Sequence, residues 1–182
     1  MLAYNPAMKA LAPKVALGID PGKHGAVASV YLHKQSNYPI TLMTIDTTEY
    51  GLKDIVLAVC SKYTITPQEI YAIVEQQVPF AKGGRFIGAT SSMSIGVGVG
   101  RILGVFEAME VEHHRALPQQ WQKALSKHTS VKKEKGEDTK DAAARMFAAL
   151  YPEFVWRGIS DDNKKGCIDA ALIASFGRFM LK

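Results

Sequence analysis

Apolar residues along this chain follow two rhythms, short β-branched runs cut by turn residues early on and helical spacing later. Lys14 to Asp20 (KVALGID) reads as a compact apolar strand ending on an acid, with the turn residues Pro21 and Gly22 directly after it. The following GAVASVYL predicts a second strand and hence a hairpin. Pro39 to Asp46 (PITLMTID) predicts a third antiparallel strand, and Glu49 to Tyr63 a helix with Leu52, Ile55, Val56 and Val59 on one face. Ile70 to Glu75 (IYAIVE) is another short strand that ends on an acid. Val111 to Ala116, less apolar, predicts a fifth strand near a sheet edge.

Ser91 to Glu110 keeps apolar residues at helical intervals (Met93, Val97, Ile102, Val105, Phe106, Met109) despite Gly96, Gly98, Gly100 and Gly104. Each glycine costs a helix about 1 kcal/mol relative to alanine, which predicts close backbone packing against a sheet or a partner chain. Trp121 to Lys127, Thr139 to Leu150 and Cys167 to Leu181 complete a helical second half. No repeat and no shift in composition divides the chain, so residues 14–182 are expected to form one α/β domain behind a short leader at residues 1–13.

The 182 residues can bury a substantial core, and 47% apolar with 21% charged residues is ordinary for a globular protein. The net charge of +5 favours polyanionic partners without proving one. Cys60 and Cys167 stand far apart with no CxxC pair, which argues against a disulfide framework or a structural zinc. No run is long enough to span a membrane and no signal peptide is legible, so a cytoplasmic location is expected, with no membrane partner.

Asp20 and Glu75 each end an apolar strand, and neighbouring strands lie about 4.8 Å apart, so the two carboxylates meet if those strands pair. Asp169 is expected to open an apolar helix (DAALIASFGRFML) that fixes its carboxylate against the sheet. Hard oxygen donors from separate elements suit Mg²⁺ or Mn²⁺ and the hydrolysis of a phosphodiester backbone. Each acid also has a plainer explanation: an Asx turn at Asp20, a solvated strand end at Glu75, a helix cap at Asp169. Spacing alone leaves both readings open.

GIDPGKHGAVAS, IVEQQ and CIDAALIASFG, in that order, resemble the successive acidic motifs of the RuvC-type Holliday-junction resolvases and their phage and organellar relatives. The resemblance runs from about Lys14 to the C-terminus. It implies a ribonuclease H-like fold with a five-stranded mixed sheet, a homodimer, and paired nicks in four-way DNA junctions with Mg²⁺ or Mn²⁺ and no small-molecule cofactor. By the same resemblance Asp20, Glu75 and Asp169 match the metal-binding acids. The fourth position departs from the pattern: three and four residues before the last acid stand Gly166 and Lys165. Asp162, or failing it Asp161, is expected to reach the metal from a preceding loop, while Lys165 is the alternative contact to the scissile phosphate.

The resemblance also places basic residues against DNA. Lys123 follows the family-like PQQW run, near a lysine that the family places by the active site, Lys140 matches a catalytic lysine at the start of the next helix, and Lys132, Lys133 and Lys135 lie between them, where phosphate contacts give salt-sensitive affinity. The plainer reading of KKEKGED is a charge-balanced solvated loop. In VPFAKGGRF, Phe80 is the expected wedge at the junction centre, with Lys82 and Arg85 beside it and Phe86 in the core. Trp121 and Trp156 are expected to pack, and His24, His113 and His114, which lack ligand spacing, to lie at the surface. Three rivals remain at this stage: a sugar-kinase or actin-like ATPase fold, for which the chain is too short, a nuclease for other branched DNA or RNA hybrids, and a junction-binding protein without catalysis.

Overall fold

In a computed structural model of the chain, residues 12–22, 25–32, 41–44, 49–77 and 88–181 are described. The continuously apolar run before Pro21 forms β1 (Val15–Asp20), buried on both faces as its composition demands. It pairs antiparallel with β2 (Ala26–Tyr31), from Val15 opposite Tyr31 to Asp20 opposite Ala26, and β2 pairs antiparallel with β3 (Thr41–Thr44). After α1 (Glu49–Tyr63), β4 (Ile70–Glu75) joins the other side of β1 in parallel, with Val15 opposite Ile70 and Ile19 opposite Val74. Following α2 (Ala89–Ala108), β5 (Glu112–Ala116) pairs parallel to β4. The five-stranded mixed sheet has the order β3-β2-β1-β4-β5, so β5 lies at the edge, where its EHHRA composition fits.

The second half supplies α3 (Pro118–Thr129), α4 (Thr139–Leu150) and α5 (Asp161–Met180). These three cover one face of the sheet, in a core of Ile73, Trp121, Leu125, Phe147, Leu172 and Ile173. α1 and α2 cover the other face, where Leu17, Ile19, Val56, Val74, Ile102 and Phe106 meet. Trp121 is fully buried, and Trp156 packs against Phe147 and Phe154, as expected of both. Cys60 and Cys167 are free thiols.

The closest approach of helix and sheet sets the site. α5 lies on β1 backbone to backbone: a Cβ at Gly18 would run into Ala170 O and the Ala174 backbone, and one at Gly177 into Ile73 and Ala16. Small residues on both elements allow this, and none larger fits without moving the helix.

Two expectations change. A Cβ at Gly96, Gly98, Gly100 or Gly104 of α2 would meet nothing, so these glycines are not there for close packing against the sheet. Met93 and Val97 on the same helix are 72% and 45% exposed, which leaves a small-residue, apolar face uncovered among the described residues. The last helix also begins earlier than its apolar run. Asp161 is its first residue, so Asp162 sits in the first helical turn instead of a preceding loop, and Asp169 lies inside the helix instead of opening it. The polar DDNKKG start carries no apolar periodicity and so gives no sign of being helical. Residues 1–11 of the expected leader, together with His24, Phe80, Lys82, Arg85 and Phe86, lie outside the described residues. His114 is exposed as expected, whereas His113 is half-buried with its ring 5.9 Å from that of Phe106.

Candidate active site

Asp20 and Glu75 end adjacent parallel strands. The last registered pair is Ile19 with Val74, and one step on the two acids stand side by side, at a strand spacing of about 4.8 Å. Alternation turns Val15, Leu17 and Ile19 toward α1 and α2, so Gly18 and Asp20 face α5; Ile73 and Glu75 on β4 face the same way. Asp169 comes down onto this face from α5 and is only 4% exposed. The tight contact of Gly18 with Ala170 and Ala174 is what brings Asp169 there. The three acids therefore share one side of the sheet at the C-terminal ends of β1 and β4.

Their electrostatics record that proximity. Burial, then the Asp169 charge, pushes the Asp20 carboxyl up to about 6, with the Gly22 N–H and Lys140 pulling the other way. Burial, then Asp20 and Asp169, pushes Glu75 up to about 8. Asp169 is raised by burial and held down by Lys140. Glu75 is thus not a solvated strand end, and Asp169 is no cap. The Asx turn is present, since the Gly22 N–H donates to Asp20 Oδ1 at 3.1 Å, yet it uses one carboxylate oxygen and leaves the other free for further contacts.

Among the described residues one cation answers the three acids. Lys140, the second residue of α4, forms an ion pair with Asp169 Oδ2 from a half-exposed position. Burial alone would lower its pKa, but Asp169, Asp20 and Glu75 together hold it above the ordinary lysine value. Asp138 caps α4, accepting the Lys140 N–H at 2.9 Å, and so fixes where the lysine departs from the backbone. Contact between Lys140 and a carboxylate 29 residues away leaves no local trace in the sequence.

The other expected site residues stand apart. Asp162 is exposed, and seven residues of helix put it roughly 10 Å along the axis from Asp169. Asp161 is held by Lys164 at 2.6 Å. Lys123 and Lys165 are exposed and do not contribute to the charge environment of the three acids. Arg145, which the sequence reading passed over, grips the loop that carries Lys132, Lys133 and Lys135. Its one signal was being the only base in α4 after Lys140. A cavity of about 310 Å³ lies against α2, lined by residues such as Gln77, Ser92, Leu103 and Arg115, and none of the three acids lines it.

The donor set suits a hard divalent cation: three carboxylates, partly or fully buried, whose mutual repulsion one half-exposed ammonium offsets only in part. Among the described residues no three acids are gathered closely enough to hold an ion as they stand, so binding requires the carboxylates to converge and Asp169 to exchange its ammonium partner. The chemistry of the site fits the ion; its present geometry is that of the protein alone.

No family model and no curated protein matches the chain. Solved structures do. The chain is similar to Thermus thermophilus RuvC at a TM-score of 0.57 and 18% identity, covering 91% of this chain and 96% of that one. RuvC from the same organism in complex with a Holliday junction substrate matches at 0.57 and 16%, over 91% and 95%. Ydc2, the yeast mitochondrial Holliday junction resolvase, matches at 0.57 and 11%, over 95% and 81%. The fold is therefore the ribonuclease H-like α/β fold in its RuvC-like form.

Proposed function

We propose that the chain is a divalent-metal-dependent endonuclease that resolves four-way DNA junctions by paired phosphodiester hydrolysis, acting as a homodimer. The observation that carries this reading is the placement of Asp20, Glu75 and Asp169 on one face of the sheet at the strand ends, close enough to raise one another's pKa, in a fold shared with junction resolvases. Asp20, Glu75 and Asp169 would hold Mg²⁺ or Mn²⁺, with Asp162 too far along α5 to be a first choice as fourth ligand. Bound there, the metal would stabilise the charge developing on the attacked phosphate and lower the pKa of an attacking water. Lys140 supplies a positive charge beside the acids, suited to a phosphate oxygen once Asp169 turns to the ion. Lys123, Lys165 and the lysines at 132, 133 and 135 are exposed and free to meet backbone phosphates around the site. A second copy packed on the open face of α2 would place two such sites on one substrate, as symmetric nicks require.

The test is cleavage of four-way, forked and linear duplex DNA by the purified protein with Mg²⁺ or Mn²⁺. Paired nicks in the four-way substrate that vanish in Asp20→Asn support the proposal. Equal cutting of linear duplex defeats the junction assignment. Binding without nicks favours a junction-binding protein, a reading to which the Lys140 pairing with Asp169 lends its one argument.

A further inference from the structure

The segment between α3 and α4, VKKEKGED, holds Lys132, Lys133 and Lys135 against Glu134, Glu137 and Asp138, so by count its charges cancel. In space they separate. Arg145 of α4 donates from Nε to Glu137 Oε1 at 2.9 Å and from Nη2 to Glu137 Oε2 at 2.8 Å, the forked geometry that a lysine lacks. The same Nη2 donates to the Lys132 carbonyl at 2.8 Å, and Nη1 lies 3.5 Å from Glu134 Oε1. Glu137 Oε2 also accepts the Glu134 N–H at 2.8 Å, while Asp138 is taken up in capping α4. A positive φ of 85° at Gly136 allows the chain to fold back so that Glu137 meets Arg145.

The lysines are left on the outside. Lys133 donates to the Thr139 hydroxyl at 3.0 Å and its charge still reaches Glu137, whereas Lys132 and Lys135 are exposed without a hydrogen bond or ion pair among the described residues. The loop ends immediately before α4, two residues short of Lys140 and its contact with Asp169. A polyanion laid across the three acids would pass it.

We propose that Arg145 is a positioning residue that masks Glu137 against α4, pairs with the exposed Glu134, and thereby turns a charge-balanced segment into a phosphate-contacting surface for the DNA backbone. The inference rests on the nuclease reading above and names how that site gains its substrate affinity. Unmasked, the two carboxylates would stand among the lysines and cancel their field, reducing the number of counterions released on binding.

The experiment measures binding of the full chain to a four-way DNA junction over a range of salt, with chelator present so that no cleavage occurs. Arg145→Met is expected to weaken binding about 10-fold and to lower the salt slope by about 1 to 2. Arg145→Met combined with Glu134→Gln and Glu137→Gln is expected to return to within about 2-fold of the parent, because the charges that needed masking are gone. A triple variant that stays as weak as Arg145→Met overturns the masking role in favour of a structural one. Lys132→Gln with Lys135→Gln changes only exposed residues and is expected to cost about 10-fold; unchanged binding overturns the proposal even where Arg145→Met fails to fold. A parent protein that ignores junction DNA overturns the nuclease reading itself, and this inference with it.

Discussion

The ammonium of Lys140 on α4 forms an ion pair with Asp169 on α5, and through it one positive charge serves three carboxylates on two strands and a helix. A divalent ion bound by the same acids must compete with that ammonium. The lysine is half-exposed but Asp169 is buried, so solvent screens the pair only in part. Lys140→Met is expected to tighten Mn²⁺ binding by about 5-fold or more while lowering cleavage. Titration of the apo protein with Mn²⁺, followed by calorimetry or by the rise in melting temperature, checks this; weaker binding in the variant would falsify the competition.

Asp20 and Glu75 give the metal-free protein a characteristic pH dependence. Both have pKa values raised by folding, to about 6 and about 8, so between about pH 4 and pH 8 the folded state binds more protons than the unfolded state. Stability contributed by the protonated acids is present at low pH and is lost as pH rises through those values. Glu75→Gln and Asp20→Asn remove the cost of burying the charge and, after it, the repulsion, and Asn at position 20 can still accept the Gly22 N–H. Each is expected to stabilise the apo protein by about 1 to 2 kcal/mol at pH 8, with the gain vanishing near pH 4. The same substitutions are expected to cut cleavage by a factor on the order of 100 or more. Thermal melts in chelator across pH decide the first point, and a gain that does not change with pH would contradict it.

How much of this was legible along the chain depends on whether the cause was local. The strands carrying Asp20 and Glu75 announce themselves because apolar β-branched runs stop on an acid beside turn residues. That these strands are neighbours, with both acids facing α5, depends on a parallel pairing across 55 residues that no local pattern encodes. The interior position of Asp169 was hidden because α5 starts with the polar run Asp161 to Lys165, ahead of its apolar residues. The α2 glycines were readable as unusual, but no packing among the described residues accounts for them. The role of Arg145 was hidden because its partners lie 8 and 11 residues back, across a turn.

Gly18 offers a test of how the site is assembled. A Cβ there meets the Ala170 carbonyl and the Ala174 backbone, which cannot rotate aside as a side chain could. Gly18→Ala must therefore lift α5 from β1, at a cost of about 1 to 3 kcal/mol in stability. Because Asp169 rides on that helix, cleavage should fall by more than the unfolded fraction accounts for. Denaturation by urea alongside specific activity of the folded fraction separates the two effects. Full activity per folded molecule would show that the acids tolerate helix displacement.

The uncovered face of α2 makes the last prediction. Met93 and Val97, one helical turn apart, are 72% and 45% exposed, and Gly96, Gly100 and Gly104 continue the face with nothing against them among the described residues. Five residues of this kind on one stripe are more than a surface helix of a monomer ordinarily presents, and small residues let a second helix approach its backbone. Val97→Asp places a charge where two copies would meet and does not disturb the chain's own core, because the side chain already faces solvent. Sedimentation should show a dimer for the parent and a monomer for Val97→Asp, each with the same melting behaviour at low concentration. Junction cleavage by the monomer should shift from paired to single nicks, since each copy carries its own Asp20, Glu75 and Asp169. If the parent sediments as a monomer at working concentration, pairing of the nicks must come from successive encounters, and the glycines of α2 need another cause.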